Sequence, residues 1–503
     1  MCNQNHNRTV EGTSATPTYV AASANNTEAN PGQALHTSHQ EIPHYFPSTP
    51  QKLSTAATDD SRYTELLNQL ANYDFSYLPH IDLAPQHVHQ PIHTVYMPAQ
   101  TVSGVEVLEQ WAKQAQQACT QHSEFLRTLD CCAYASRVEL DALMHRTYTQ
   151  LGTRAIGDLR IDFEDGFSQQ DIPAAQRSEH EDQWAAHAGA VLAKILVTTD
   201  IRVGIRIKPL EVATAERSLR TLALVLNSMV HALANASDEL VSAAADAPYA
   251  AGAVGWKQAV RQRFRVTLPK ISHPCQMELL VQALSHYEQV IGLPSIAVEA
   301  QIELPHALVD LDSGVNALAP IVRSGAGRVA ALHYGTYDYS ASLGVDPQFQ
   351  SMQHPVADHA IAMMQQVAHA SGIELSHGST NIIAQGPPET MQAAWHNHAQ
   401  LITRAFEGGI RQGWDLHPSH LVTRQLATLA YYRQYLPTYA TRLHQAFSES
   451  SEEILEEPAT VRPLAAFVLR ALAVGASDMN ELSAYGFSHS QLEQLAQMGK
   501  EVS

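Results

Sequence analysis

Residues 264–303 read FRVTLPKISHPCQMELLVQALSHYEQVIGLPSIAVEAQIE, and they contain one repeat of a longer pattern. FRVTLPK (264–270) and IAVEAQIE (296–303) are short apolar runs of the length and β-branched content of buried strands. Between them Met277, Leu280, Val281 and Leu284 fall at the i, i+3, i+4 and i+7 positions that share one helix face. A strand, an amphipathic helix and a second strand in this order predict two parallel strands joined by a crossover helix.

Outward from this unit the same alternation recurs. Further strands are predicted at HTVYMPA (93–99), DLRIDFED (158–165), VGIRIKP (203–209), RVAALHYG (328–335), IELSHGST (373–380) and GWDLHP (413–418). Helical spacing marks 105–121, 215–233, 359–370, 389–406 and 420–436. Eight strands with intervening helices predict an α/β fold, a (β/α)8 TIM barrel with inserted helices and a small C-terminal helical extension. The long gaps at 100–157 and 210–263 must hold extra helices, and SDELVSAAADAPYAAGAVG (237–255) reads as a surface excursion.

Residues 1–54 are rich in Asn, Thr, Ser, Ala, His and Pro without an apolar period, so a disordered N-terminal tail is expected there. The barrel with its insertions is assigned to 55–447. The acidic connector SESSEEILEEP (448–458) opens a final segment, 448–503, whose helices are expected to cap the barrel or make a homo-oligomer contact.

Composition excludes several classes. Of 503 residues, 31 are Lys or Arg and 50 are Asp or Glu, for a formal charge of −19. Such a field repels nucleic acid and anionic lipid surfaces, so neither is an expected partner. The five cysteines show no CxxC spacing, which suits a reducing cytoplasm better than a disulfide framework or a zinc knuckle. The start MCNQNHNRTVEG lacks a signal-peptide pattern, and no apolar run reaches a membrane span's length.

In barrels of this type the reacting groups come from the carboxyl ends of the strands, where the loops converge. Those ends carry Asp162, Glu164 and Asp165; Arg206 and Lys208; Lys270; Glu303; Asp338; His377; and Asp415 with His417. Hard oxygen ligands beside cations are what stabilising an enolate requires, with Mg2+ (or Mn2+) favoured over zinc in the absence of an HExxH or Cys/His cluster. Glu164 and Asp165, adjacent in a strand, are expected to point to opposite faces. His333, His377 and His417 are candidates for a base.

Five segments carry a resemblance. VYMPAQ (95–100), IDFEDGF (161–167), IELPHAL (302–308), HYGTYDYSASLG (333–344) and GIRQGWDLHPSH (409–420) stand in the order of matching motifs in one superfamily. From about Ile92 to Thr423 the chain resembles the citrate lyase beta subunits, malyl-CoA lyases, malate synthases and HpcH/HpaI-type aldolases, the phosphoenolpyruvate/pyruvate-binding barrels. That resemblance implies Glu303 and Asp338 as metal ligands and Arg206 as the partner of a substrate carboxylate or enolate. It also implies supporting roles for Glu164, Asp165 and Lys270. Gly335 is read as a point of close backbone approach, and His417 as a substrate contact. The implied activity is metal-dependent carbon–carbon bond cleavage or formation beside a 2-oxo acid or acyl carbonyl. Two alternatives stand beside it: an inactive metal- and ligand-binding barrel serving as a sensor or assembly subunit, and Claisen-type chemistry on a CoA thioester. Departures from the pattern are Leu304 and Pro305 after the glutamate, Lys208 in place of an asparagine, and the 35 positions between Glu303 and Asp338.

Overall fold

The computed structural model of the protein describes residues 88–236, 255–311, 313–314, 316–447 and 458–497. The chain divides into two compact units, Met1–Asp74 and Phe75–Ser503, and every described residue belongs to the second. The expected N-terminal tail, nearly all of the 237–255 excursion and residues 448–457 of the acidic connector lie outside the described residues.

All eight predicted strands form, as β1 (His93–Pro98), β2 (Asp158–Asp162), β3 (Arg202–Arg206), β4 (Phe264–Leu268), β5 (Ala297–Ile302), β6 (Val329–Tyr334), β7 (Glu374–Ser376) and β8 (Gly413–Asp415). They pair in parallel in the order β7-β6-β5-β4-β3-β2-β1-β8. β7 and β8 stand at the two ends of this order, and two backbone hydrogen bonds join the segments around them. His377 N–H donates to Gln412 O at 2.9 Å and Trp414 N–H to Gly378 O at 3.0 Å, so the barrel closes.

Among the described residues, fifteen α-helices surround it. They are α1 (Glu106–Gln121), α2 (Ser123–Leu126), α3 (Arg137–Arg154), α4 (Arg177–Thr198), α5 (Ala215–Ala236), α6 (Trp256–Arg263), α7 (Pro274–Ile291) and α8 (Leu318–Ser324), then α9 (Thr336–Ser342), α10 (Pro355–Ser371), α11 (Pro388–Glu407), α12 (Pro418–Phe447), α13 (Pro458–Ala473), α14 (Met479–Ala484) and α15 (His489–Gln497). Local chemistry sets their ends. Proline opens α7, α10 and α11, where its fixed φ suits the first turn and its missing N–H costs nothing. Gly292 and Gly372 end α7 and α10 at φ 73° and 66°, a left-handed stop that L-residues with a Cβ rarely adopt. Ser136 and Glu139 cap α3 reciprocally.

The strands' outward side chains, among them Leu159, Ile161, Val203, Ile205, Val266 and Leu268, are fully buried against the helices. Each contributes roughly 1.5–3 kcal/mol by leaving water. Inside the barrel Arg160 is buried and bonded to Asp158, Glu299 and Thr267, so its charge is compensated. Removing one partner of such a set costs about 3–5 kcal/mol. At the C-terminal side the Phe467 ring of α13 lies tilted at 4.8 Å from Tyr432 and edge-on at 4.7 Å from Tyr439 of α12, and Arg433 bonds Glu481 at 2.6 Å. Among the described residues no helix is long and apolar enough to cross a membrane.

Candidate functional site

The predicted strands run past their observed ends, and the surplus residues are the ones that build the site. β2 ends at Asp162 because its carboxylate accepts the N–H groups of Glu164 and Gly166, both at 2.9 Å, and turns the chain out of the ladder. Glu164 and Asp165 therefore do not alternate as strand residues. The expectation of opposite faces is corrected here: both carboxylates reach the ammonium group of Lys270, Asp165 at 3.0 Å.

Lys270 is central to the cluster. Its Nζ also lies 3.2 Å from Asp338 Oδ2, and its backbone N–H donates to Glu303 Oε2 at 2.9 Å. It holds a φ of +48°, a left-handed conformation that costs a non-glycine residue about 1 kcal/mol or more and that surrounding contacts must sustain. One residue thus ties together groups following β2, β4, β5 and β6. Glu303 is further held by the Gln301 side-chain amide, which donates to Oε1. Gly335 lies against it, since a Cβ there would stand 2.2 Å from Glu303 Cγ. The cluster is closed on one side and open on the other. Glu303 is 2% exposed, whereas the Asp165 and Asp338 side chains are 57% and 40% exposed.

Arg206 stands beside this group. Asp162 and Arg206 are register partners on β2 and β3, and they form a two-pronged pair, Nε to Oδ1 at 2.7 Å and Nη2 to Oδ2 at 2.6 Å. Nη1 lies 3.2 Å from Glu164 Oε2. The guanidinium also packs over the rings of Tyr96 and Trp414, at 5.1 Å and 6.0 Å from their centroids. Three of its five N–H donors are thereby engaged, leaving two for a ligand.

The charges do not balance. Among the described residues, the basic partners of Asp162, Glu164, Asp165, Glu303 and Asp338 are Arg206 and Lys270. Burial pushes the Glu303 carboxyl up to about 7, although Arg206 and Lys270 both pull it down. Burial likewise raises Glu164 against the pull of the same two cations. Burial alone would lower Lys270, but the carboxylates of Glu303, Glu164 and Asp165 hold it above its ordinary value. An oxygen-only donor set with surplus negative charge and a solvent-open side fits a divalent hard cation.

The histidines stand apart. His333 is buried inside the barrel, accepts from Trp414 Nε1 at 3.0 Å and faces Glu299. His377 is buried and neutral, its value lowered to about 3 by burial and then by Arg404 and Arg424. His417 bonds Gln385 and Ser419, both at 2.9 Å, and so fixes the loop after β7. No described contact links these three to the carboxylate cluster. Lys208 turns outward to Phe163 O at 2.6 Å and Glu181 at 3.1 Å. Sequence reasoning assigns no role to Gln301, Tyr96 and Trp414, and it does not pair Asp162 with Arg206. Gln301 was detectable in principle, because it precedes Glu303 by two positions and shares its face.

Among the described residues, three His, Cys, Asp or Glu ligand atoms lie within 4.8 Å of one another not in the carboxylate cluster but at His398, Asp415 and His420. There the carboxylate is already compensated, by Arg424 at 3.0 Å and His93 at 2.6 Å, and His420 spends both ring nitrogens on Leu416 N–H and Ile382 O. That arrangement is a closed hydrogen-bond network.

A closed (β/α)8 barrel with a carboxylate-rich cluster at the carboxyl ends of its strands is the class that fold and site define. Within it, the chain belongs to the family described as a domain of unknown function (DUF6986), which matches residues 84–244 and 252–499. No curated protein matches it. Among solved structures it is similar to a citrate lyase from Burkholderia xenovorans LB400, with 18% identity, 80% of this chain and 99% of that one covered, and a TM-score of 0.46. It is also similar to a malate synthase from Haloferax volcanii in a lead(II) complex, at 13% identity, 72% and 86% coverage and a TM-score of 0.39. A third is the CitE protein of Mycobacterium tuberculosis with magnesium and acetate, at 16% identity, 67% and 90% coverage and a TM-score of 0.34.

Proposed function

We propose that the cluster is the active site of a metal-dependent carbon–carbon lyase or synthase acting beside the carbonyl of a small 2-oxo acid or acyl substrate. The observation that carries this reading is the imbalance of five carboxylates against two cations at the open face of the barrel. Glu303 and Asp338 would hold Mg2+ or Mn2+, with Glu164 and Asp165 beside them, and the bound ion supplies a Lewis acid for a carbonyl oxygen.

The chain's own groups do the rest. Arg206, fixed by Asp162 and by two aromatic rings, offers its remaining N–H donors to a substrate carboxylate or to the negative charge of an enolate. That contact strengthens as charge develops, which is the condition for lowering a barrier rather than only binding substrate. Glu164, raised by burial and touching both cations, is placed to take up or release a proton near neutral pH. Lys270 positions Glu164, Asp165 and Glu303 relative to one another.

A screen of the Mg2+-loaded protein against 2-oxo acids and acyl-CoA esters, read as pyruvate, oxaloacetate or free thiol released, tests the activity. Turnover of one substrate that disappears in Glu303→Ala and Asp338→Ala supports it. Turnover unchanged in both variants removes this cluster from the reaction.

A further inference from the structure

At the opposite end of the barrel from the carboxylate cluster lies a cavity of about 530 Å³, the size of a small-molecule site. Its floor is the amino ends of β1 to β4, and its roof is the C-terminal helices α13 and α15. Four arginines line it, Arg154, Arg202, Arg263 and Arg470, against two carboxylates, Asp200 and Glu493. This concentration of guanidinium groups occurs in a chain of formal charge −19.

Two of the arginines have partners that neutralise them. Arg154 meets Asp200 at 3.3 Å, and Arg202 forms a two-pronged pair with Glu374. Arg263 and Arg470 do not. Arg263 donates to the backbone carbonyls of Leu196, Thr199 and Ile201, with no bond to a carboxylate among the described residues. Arg470 is 5% exposed; its Nη1 donates to Val88 O at 2.8 Å and to Gln90 O, while Nε and Nη2 are enclosed and the Tyr432 hydroxyl is the polar side-chain group beside them. A buried guanidinium bonded to backbone carbonyls and facing a tyrosine hydroxyl, with no carboxylate in hydrogen-bond contact, costs folding free energy unless an anion meets it. Burial lowers the values of both Arg263 and Arg470, although Asp200 pulls the first up and Tyr432 and Glu374 pull up the second. Leu469, Leu472 and Val474 give the same cavity an apolar wall.

We infer that this cavity is a second ligand site, which takes a small organic anion bearing a phosphate or carboxylate group against Arg470 and Arg263 and its apolar body against α13. The site is independent of the carboxylate cluster, and its occupant needs no metal.

Calorimetric titration of the full chain with inorganic phosphate, AMP and citrate tests it, alongside Arg470→Met and Ala473→Trp. The second variant fills the cavity without removing an arginine. Expected is saturable binding of at least one probe, weakened roughly tenfold or more by Arg470→Met and abolished by Ala473→Trp, with Mg2+ binding unchanged in both. Binding of phosphate and AMP but not citrate assigns a phosphate ester, and binding of citrate alone assigns a polycarboxylate. If Arg470→Met fails to fold, Ala473→Trp decides. No binding of any probe to the wild-type chain, or equal binding to Ala473→Trp, overturns the inference.

Discussion

The ammonium group of Lys270 lies 3.2 Å from the carboxylate of Asp338, and the same residue's backbone N–H holds Glu303 at 2.9 Å. The two acids proposed as metal ligands, 35 positions apart, are therefore bridged by one residue from a third strand end. An internal cation resting among carboxylates keeps them close, and it would compete for them with the proposed metal ion.

Replacing Lys270 by Met is expected to destabilise the metal-free protein by roughly 1–3 kcal/mol, because buried carboxylates lose a charged donor. Added Mg2+ should then raise the melting temperature of the variant by more than it raises that of the wild type. Equal shifts in the two proteins would mean that Lys270 and the ion do not share ligands.

Gly335→Ala probes the packing around Glu303. The added Cβ would meet Glu303 Cγ at 2.2 Å, so the carboxylate must move, at a cost of about 1–3 kcal/mol. Mg2+ affinity is expected to fall roughly tenfold or more. The control is Gly344→Ala, where φ is +75° and nothing lies within 4 Å: it should strain the backbone by about 1 kcal/mol and leave Mg2+ affinity alone. Identical titrations for both variants and the wild type would exclude the proposed contact.

How much of this was legible in the sequence differs by level. The eight strands were, because apolar runs alternating with 3.6-residue periods survive in any order of packing. The acids at their ends were also visible, since position along a strand fixes which loop a residue joins. Partnership was not. The pairing of Asp162 with Arg206 depends on the register of β2 against β3, which no single strand encodes. Glu164 and Asp165 were misplaced because the turn after Asp162 is set by side-chain-to-backbone hydrogen bonds rather than by periodicity. The +48° φ of Lys270 has no signature in its own residue type. The arginine-lined cavity was out of reach altogether, since Arg470 meets Val88 across 382 positions.

Arg206→Lys keeps the charge and loses the fork. A lysine cannot reproduce the two-pronged bond to Asp162 or offer two further donors in one plane. Turnover of the substrate found by screening should drop roughly a hundredfold or more, while calorimetric Mg2+ affinity changes by less than about threefold. A turnover near that of the wild type would remove Arg206 from the chemistry.

Acid should weaken the fold through buried imidazoles. His377 and His420 are lowered by burial from 6.5 to about 3 and about 4, so each is neutral in the folded chain and protonates more readily when unfolded. Their stabilisation is complete above pH 6.5 and is lost as pH falls from 6.5 toward 3, at about 1.4 kcal/mol per pH unit per group. Denaturant midpoints at pH 7.5 and pH 5 should therefore converge in His377→Gln relative to the wild type. Parallel losses in the two proteins would show that His377 carries no proton linkage.

Whether Glu303 and Asp338 share one divalent cation is tested most directly by calorimetric titration of Mg2+ into the metal-free wild type, Glu303→Ala and Asp338→Ala, with folding checked by circular dichroism. One saturable site in the wild type, weakened roughly a hundredfold or more in each folded variant, is the expected result. Undiminished Mg2+ affinity in either folded variant would contradict it.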